Sequence, residues 1–248
     1  MSEAPELLRA YLRQRIELGE HEIFLETLAA REIIELAIPR FADAAVAAVR
    51  PRALIEPQTG ADLVAIGDLA DLRDRALGCR LCTLSETRNH VVFGEGSSTA
   101  DVMVVGEAPG AEEDRTGRPF VGRAGKLLDT LLASVGFSRE AVYICNVLKC
   151  RPPGNRNPLP AEIDACDSYL IRQVELVEPK VILACGTFAA QTLLESTEAI
   201  GRLRGAEHSY HGVPLIPTYH PAALLRNPAW IRPVWDDLQR LRTILDGS

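Results

Sequence analysis

The chain reads as an α/β protein whose mainly parallel sheet is covered by helices on both faces. Three observations predict this. From about Gly67 onward, apolar runs of strand length alternate with longer stretches of helical periodicity. The runs are apolar throughout and rich in branched residues, as at 102–105 and 181–185, the composition of strands buried on both sides. The stretch from Asp101 to Gly125 passes from such a run through a tight glycine-bounded loop into a helix. That layout places a ligand at the carboxyl end of a strand, against backbone N–H groups.

The elements follow in order. In residues 1–60, Leu7, Leu8, Tyr11, Leu12 and Ile16 recur at helical spacing, Gly19 interrupts, and a second helical stretch runs towards Val49. Turn residues between Pro51 and Gly60 mark a linker. This extension carries no recognisable chemistry and is expected to be a helical appendage that packs on the domain or mediates contacts. A short helix from Leu69 to Leu77 leads into Cys79-Arg-Leu-Cys82. The strand at Val102 to Val105 breaks at Gly106-Glu-Ala-Pro-Gly110, acids follow at Glu112, Glu113 and Asp114, and the turn Gly117 to Gly125 opens a helix marked by Leu127, Leu128, Leu131 and Leu132. A strand is expected from Val142 to Leu148, then a proline-rich loop from Arg151 to Pro160 and a helix from about Ala161 to Val177. A strand at Val181 to Cys185, a helix at Phe188 to Glu195, a strand at Val213 to Pro217, a loop from Thr218 to Pro228 and a helix from about Trp230 to Leu245 complete the pattern.

The composition is that of an ordinary soluble protein, without an apolar run of membrane-spanning length or a secretory pattern at the start, so a cytoplasmic protein is expected. A net charge of −7 argues mildly against a protein that coats nucleic acid nonspecifically. The charge is uneven: residues 1–75 hold 9 arginines against 14 acidic residues, and the remainder is close to neutral. Neither a Walker-type loop nor a dinucleotide fingerprint is present, and acids occupy the loop where phosphate would sit. A site for a neutral polar group fits better than one for nucleotide phosphate.

Six cysteines in such a setting point to metal or burial rather than disulfides. Cys79 and Cys82 form a C-x-x-C at a helix end. Cys150 ends the second strand region, and Cys166 lies within the following helix. Four thiolates from two distant segments suit a tetrahedral zinc or a cubane iron–sulfur cluster, and the wide second pair favours the larger group. Buried apolar thiols beside a redox C-x-x-C are the plainer alternative. Cys145 and Cys185, within apolar strands, read as core.

Four motifs in order then carry a resemblance: Gly106-Glu-Ala-Pro-Gly110 with its following acids, Gly117-Arg-Pro-Phe-Val-Gly122, Asn146-Val-Leu-Lys-Cys-Arg-Pro-Pro153, and His220-Pro-Ala-Ala-Leu-Leu-Arg-Asn-Pro228. Together, over about residues 67–245, they resemble the family-four uracil-DNA glycosylases. The resemblance implies a three-layer α/β/α sandwich in residues 67–248, a 4Fe–4S cluster on Cys79, Cys82, Cys150 and Cys166, and hydrolysis of the N-glycosidic bond of deoxyuridine in DNA after base flipping, the opening step of base-excision repair. The substrate implied is uracil-containing DNA, single- or double-stranded. No membrane partner is expected, and the extension is a candidate contact for other repair or replication proteins. Cys150 runs directly into Arg-Pro-Pro, without the insert of the covalent uracil-capturing branch. Glu107 separates the chain from family-five enzymes.

The roles that follow are specific. Asn146 offers uracil one amide acceptor and one donor, where cytosine presents the reverse pattern; a strand-end turn is its plainer role. Phe120 stacks on the flipped base or is a core ring. His220 donates to uracil O2 as charge develops there. The backbone of Gly106, Glu107 and Ala108 lines the uracil pocket. Ala108 stands where the best-known superfamily branch has a water-orienting Asp, so that task passes to Glu107 or Glu113, the latter alternatively a helix-approach carboxylate or salt-bridge partner. Leu224, Leu225 and Arg226 form an apolar wedge with a cation behind it, with leucines of the core as the plainer reading, and Arg151, Arg156 and Lys149 are expected phosphate contacts. Two rival classes remain beside this reading: a non-catalytic iron–sulfur DNA-binding module and a small-molecule α/β enzyme.

Overall fold

The computed structural model describes residues 63–247. The sequence reading of residues 1–60 as helices and linker lies outside the described residues.

Helix α1 (Leu69–Leu77) begins where the Asp68 carboxylate accepts the N–H groups of Ala70 and Asp71, at 2.8 and 2.9 Å. The sheet is built from β1 (Glu95–Gly96), β2 (Val102–Gly106), β3 (Tyr143–Asn146), β4 (Val181–Cys185), β5 (His208–Tyr210) and β6 (Val213–Thr218). Their spatial order is β1-β3-β2-β4-β6-β5. The four inner strands are parallel, and the two short edges are antiparallel. Register sets the site: Gly106 lies opposite Asn146, at the carboxyl ends of β2 and β3.

Side chains alternate between two cores, as period-two geometry demands. Met103, Val105, Cys145, Ile182 and Leu215 face one way, towards α1 and α4 (Pro160–Val177), with α5 (Thr187–Leu193) and the short α6 (Ile200–Leu203) beside them. Val102, Val104, Ile144, Leu183 and Ile216 face the other way, towards α3 (Arg123–Ser134) and α8 (Ile231–Asp246). This is the expected three-layer sandwich. Among the described residues, no helix is long and apolar enough to cross a membrane.

The inner strands and long helices fall where periodicity places them. The differences are short or polar. The second strand ends at Asn146, although Val147 and Leu148 still donate to Gly106 and Glu107 carbonyls at 2.9 and 3.0 Å. The acidic stretch forms a six-residue helix, α2 (Ala111–Thr116), closed by Gly117 in the left-handed conformation. Residues expected as loop form α7 (Pro221–Arg226), started by proline at its first position and capped by His220. The edge strands carry too few apolar residues to show alternation.

Candidate active site

Four loops meet at the carboxyl ends of the parallel strands and enclose a cleft of about 490 Å³. Its wall includes Glu107, Ala108, Phe120, Asn146 and His220, with Glu113, Arg156 and Arg226 towards the rim. Gly106 sits directly behind Asn146 and Phe120. A Cβ there would collide with the Asn146 Oδ1 and the Phe120 ring, so only glycine admits both.

Asn146 is 2% exposed, yet its side-chain amide makes no hydrogen bond to another described residue. Here both its donor and its acceptor are held in reserve at the wall of a cleft.

Phe120 takes a left-handed backbone conformation, φ 50°. For a bulky residue this costs roughly 1–3 kcal/mol. Arg139 opposes the cost by donating to the carbonyls of both Pro119 and Phe120, the latter at 3.1 Å, while its guanidinium is itself held by Glu95 and Asp129 at 2.6 and 2.8 Å. Charge-assisted bonds of this kind contribute roughly 1.5–3 kcal/mol each. Burial pushes the Glu95 carboxyl up, but hydrogen bonds and charge from Arg118 and Arg139 outweigh it and leave the group below its ordinary value. The Phe120 ring stacks on the His220 ring, centroids 5.6 Å apart and planes 26° from parallel.

His220 has its tautomer set by its role as a cap. Its Nδ1 accepts the Ala222 N–H at 3.1 Å, so the ring proton resides on Nε2. Burial, reinforced by the Arg226 charge and opposed by Glu113, pushes its pKa down to about 4. The ring is neutral at pH 7 and carries one N–H donor.

The two acids of the first loop differ. Glu113 Oε1 accepts the N–H groups of Val121 and Gly122, both at 2.9 Å, and so ties the Phe120 turn to the start of α3. The Glu107 carboxylate has no hydrogen-bond partner among the described residues, and burial raises its pKa.

Two expectations are corrected. Leu224 is not part of a wedge: it is 1% exposed and packs in the core against α3 and α8, because the helical turn of α7 rotates it inward. Leu225 is 42% exposed and alone keeps an outward apolar face. Lys149 is not at the surface for a phosphate: it is 2% exposed, and its Nζ donates inward to the Asn146 carbonyl and the Gln173 Oε1. Arg151 is tethered to Asn155 at 2.7 Å, and Arg156 pairs with Glu162 at 2.6 Å while lining the cleft. Arg139 was missed by sequence reasoning. It lies in a short turn after α3 with no motif around it, and only the fold brings it under Phe120.

On the face of the sheet covered by α1 and α4, Cys79, Cys82, Cys150 and Cys166 line one cavity. Arg88 Nη1 donates to Cys150 Sγ at 3.1 Å and Nη2 to the Cys79 carbonyl at 2.7 Å. The Lys149 N–H donates to Cys166 Sγ at 3.3 Å. The Tyr169 hydroxyl, which also lines the cavity, is buried without a hydrogen-bond partner. Burial raises the pKa of Cys82, of Cys150, and of Cys166 to about 12. Among the described residues, no three such side chains converge as the ligands of a single ion do. Cys145 and Cys185 are core residues, as expected.

A parallel α/β sandwich with a cleft at its strand ends, an unpartnered amide and a neutral imidazole describes an α/β protein built to bind a polar ligand at its strand ends, and comparison gives its family. Residues 93–239 match the model of the uracil DNA glycosylase superfamily, and the chain belongs to that family. Within it the chain stands with the type-4 branch. It is 47% identical to a type-4 uracil-DNA glycosylase of Archaeoglobus fulgidus over 64% of this chain and 84% of the relative. It is 44% identical to that of Thermotoga maritima, over 69% and 92% respectively. The corresponding protein of Saccharolobus solfataricus is 41% identical over 71% and 86%.

Proposed function

We propose that this chain is a uracil-DNA glycosylase that hydrolyses the N-glycosidic bond of deoxyuridine in DNA and so initiates base-excision repair. The observation that carries this reading is the Asn146 amide, buried, unpartnered and facing a cleft. Its acceptor and donor match N3–H and O4 of uracil. Cytosine presents the opposite pattern, and leaving both groups unpaired disfavours it by orders of magnitude.

The target nucleotide leaves the stack to reach the cleft. Phe120 offers the base an aromatic face. As the C1′–N1 bond breaks, its electron pair passes to the base and charge builds on O2, where the His220 Nε2–H donates. A preorganised donor of this kind contributes on the order of 10²–10³ in rate. Water attacks C1′ and its proton passes to a carboxylate. Glu107 is the better placed: Glu113 already spends one oxygen on the Phe120 turn, whereas Glu107 is free, and burial strengthens it as a base. Leu225 fills the gap left by the flipped base, and Arg226, Arg156 and Arg151 contact phosphates. Both single- and double-stranded DNA present such a nucleotide.

The cysteine cage fits a 4Fe–4S cluster held by Cys79, Cys82, Cys150 and Cys166. Four thiols share a cavity, and two N–H groups donate to the sulfurs of Cys150 and Cys166. When bound, the cluster contributes metal–thiolate bonds that fasten the C-x-x-C arm to the start of the proline-rich loop and to α4. Residues 67–248 then form the glycosylase domain. To residues 1–60 we assign contacts with other repair or replication proteins, in the cytoplasm.

The test is a gel assay on single-stranded and duplex oligonucleotides carrying one uracil, followed by alkali. Breakage at uracil and none at a thymine control is the expected outcome. No breakage by protein with full visible absorbance would turn the reading towards a DNA-binding module.

A further inference from the structure

The His220 ring is held by few bonds of its own. Among the described residues it makes one hydrogen bond, Nδ1 accepting the Ala222 N–H, and one ring contact, the stack on Phe120. No carboxylate is hydrogen-bonded to the imidazole to aim it. Its direction therefore depends on how the chain is fixed on either side. Ahead of it, the Ala223 N–H donates to the His220 carbonyl at 2.8 Å and starts α7. Behind it lie Thr218, the last residue of β6, and Tyr219.

Both of these residues are gripped by one buried cluster. Thr218 is 2% exposed, and its Oγ1 donates to Asp237 Oδ2 at 2.7 Å. The same oxygen accepts Arg204 Nε at 2.7 Å, and Arg204 Nη2 donates to the Pro233 carbonyl. The Arg204 guanidinium lies over the Tyr219 ring, 4.7 Å from its centroid, and that ring stacks on Trp230 at 4.6 Å with planes 8° apart. Asp237 and Pro233 belong to α8, and Trp230 immediately precedes it. The main chain is held as well: the Gly186 N–H donates to the Thr218 carbonyl at 2.8 Å. Gly186 is in the left-handed region, φ 100°, and a Cβ there would stand 3.0 Å from the His220 Cβ, so bare backbone forms the floor beside the imidazole. The Asp237 charge is already matched by Arg204, so the Thr218 hydroxyl is not needed for charge balance. Its charge-assisted bond instead fixes the end of the strand in direction and distance.

We propose that Thr218 is a positioning residue for His220: anchored on the Asp237–Arg204 pair, it holds the end of β6 so that the His220 Nε2–H stands ready for uracil O2. This rests on the glycosylase reading above. A preorganised donor acts only while it is held in place, and a misplacement of about 1 Å costs up to about 10²-fold in rate. Without the hydroxyl, the strand end loses its side-chain anchor while the ion pair beneath it survives.

The test is a double-substitution cycle on the full-length protein, combining Thr218→Val with His220→Ala and reading single-turnover uracil excision at saturating protein. Thr218→Val is expected to lower the rate constant at least about tenfold, with affinity for the uracil oligonucleotide unchanged, and Thr218→Ser, which keeps the hydroxyl, to restore it. In the His220→Ala background the same change is expected to cost less than about twofold. An equal loss in both backgrounds overturns the proposal, because a threonine that only supports the fold acts whether or not the imidazole is present. Should Thr218→Val fail to accumulate, Asp237→Asn enters the same cycle with the same two outcomes. The ring is also followed without substrate, by nitrogen NMR of histidine-labelled protein, with the His220 signals assigned by their loss in His220→Ala. Wild type is expected to show the Nε2–H tautomer alone, and Thr218→Val shifted or broadened signals; signals identical to wild type overturn the proposal. A wild type that excises no uracil would sink the glycosylase reading, while the NMR signals still report on Thr218.

Discussion

The cleft at the strand ends and the cysteine cage on one face of the sheet treat polar atoms in opposite ways. At the cleft, the Asn146 amide and the Glu107 carboxylate are kept without protein partners, and the His220 Nε2–H faces the same cleft wall while Nδ1 is engaged. At the cage, sulfurs and carbonyls are braced: Arg88 bonds Cys150 and Cys79, the Lys149 N–H bonds Cys166, and Glu162, one turn before Cys166, caps its helix and binds Arg156. A braced group contributes to the fold, whereas a reserved one stores its bonding capacity for a ligand. The difference separates a place where chemistry occurs from one that holds the chain together, and it yields opposite consequences for substitution.

The largest effect is expected at the reserved amide. Asn146→Ala should lower uracil excision by at least about 10²–10³ while leaving visible absorbance and thermal stability near wild type. A folded variant with wild-type excision would break the contrast. At the cage the pattern should invert: Cys166→Ser should reduce soluble yield and most of the cluster absorbance, and an intact spectrum would remove Cys166 from the ligand set. Neighbours on α7 sharpen the same distinction. Leu224→Ala should destabilise the protein by about 2–5 kcal/mol, as a buried leucine does, whereas Leu225→Ala should change stability by no more than about 0.5 kcal/mol and weaken binding to uracil-containing duplex.

The smallest expected effect is an absence of change. Because the His220 pKa is pushed from about 6.5 down to about 4, the ring stays neutral at every pH above about 5, and kcat should show no limb from it near 6.5. The stability linkage runs the same way. The unfolded chain takes up the proton first, so the contribution of neutral His220 is complete above 6.5 and is lost as pH falls from there towards 4. An apparent pKa near 6.5 in kcat that vanishes in His220→Asn would overturn this account. Any acid limb should instead belong to Glu107, above the ordinary carboxylate range, and disappear in Glu107→Gln.

The inner strands and long helices were legible because each buries a continuous apolar surface, and such surfaces write a period into the chain. The site was legible where chemistry sits at strand ends: Gly106, Asn146 and His220 all lie at such positions. Arg139 was not, since nothing local marks an arginine that reaches back to Phe120 across the fold. Leu224 and Leu225 were indistinguishable as neighbours, because only the short helix of α7 turns one inward and the other out. Lys149 was misread because a lysine beside arginines in a loop resembles a phosphate contact, and burial depends on what packs over it.

The sequence by itself determined the layers, the order of the motifs and the residue types that could read a base or hold iron, because these depend on local periodicity and on chemistry carried by single side chains. The tertiary structure decided which polar groups are spent on the protein and which are kept for a ligand. That division depends on distances between segments far apart in the chain, such as Lys149 to Gln173 and Arg88 to Cys150, and on the burial that gives each contact its strength.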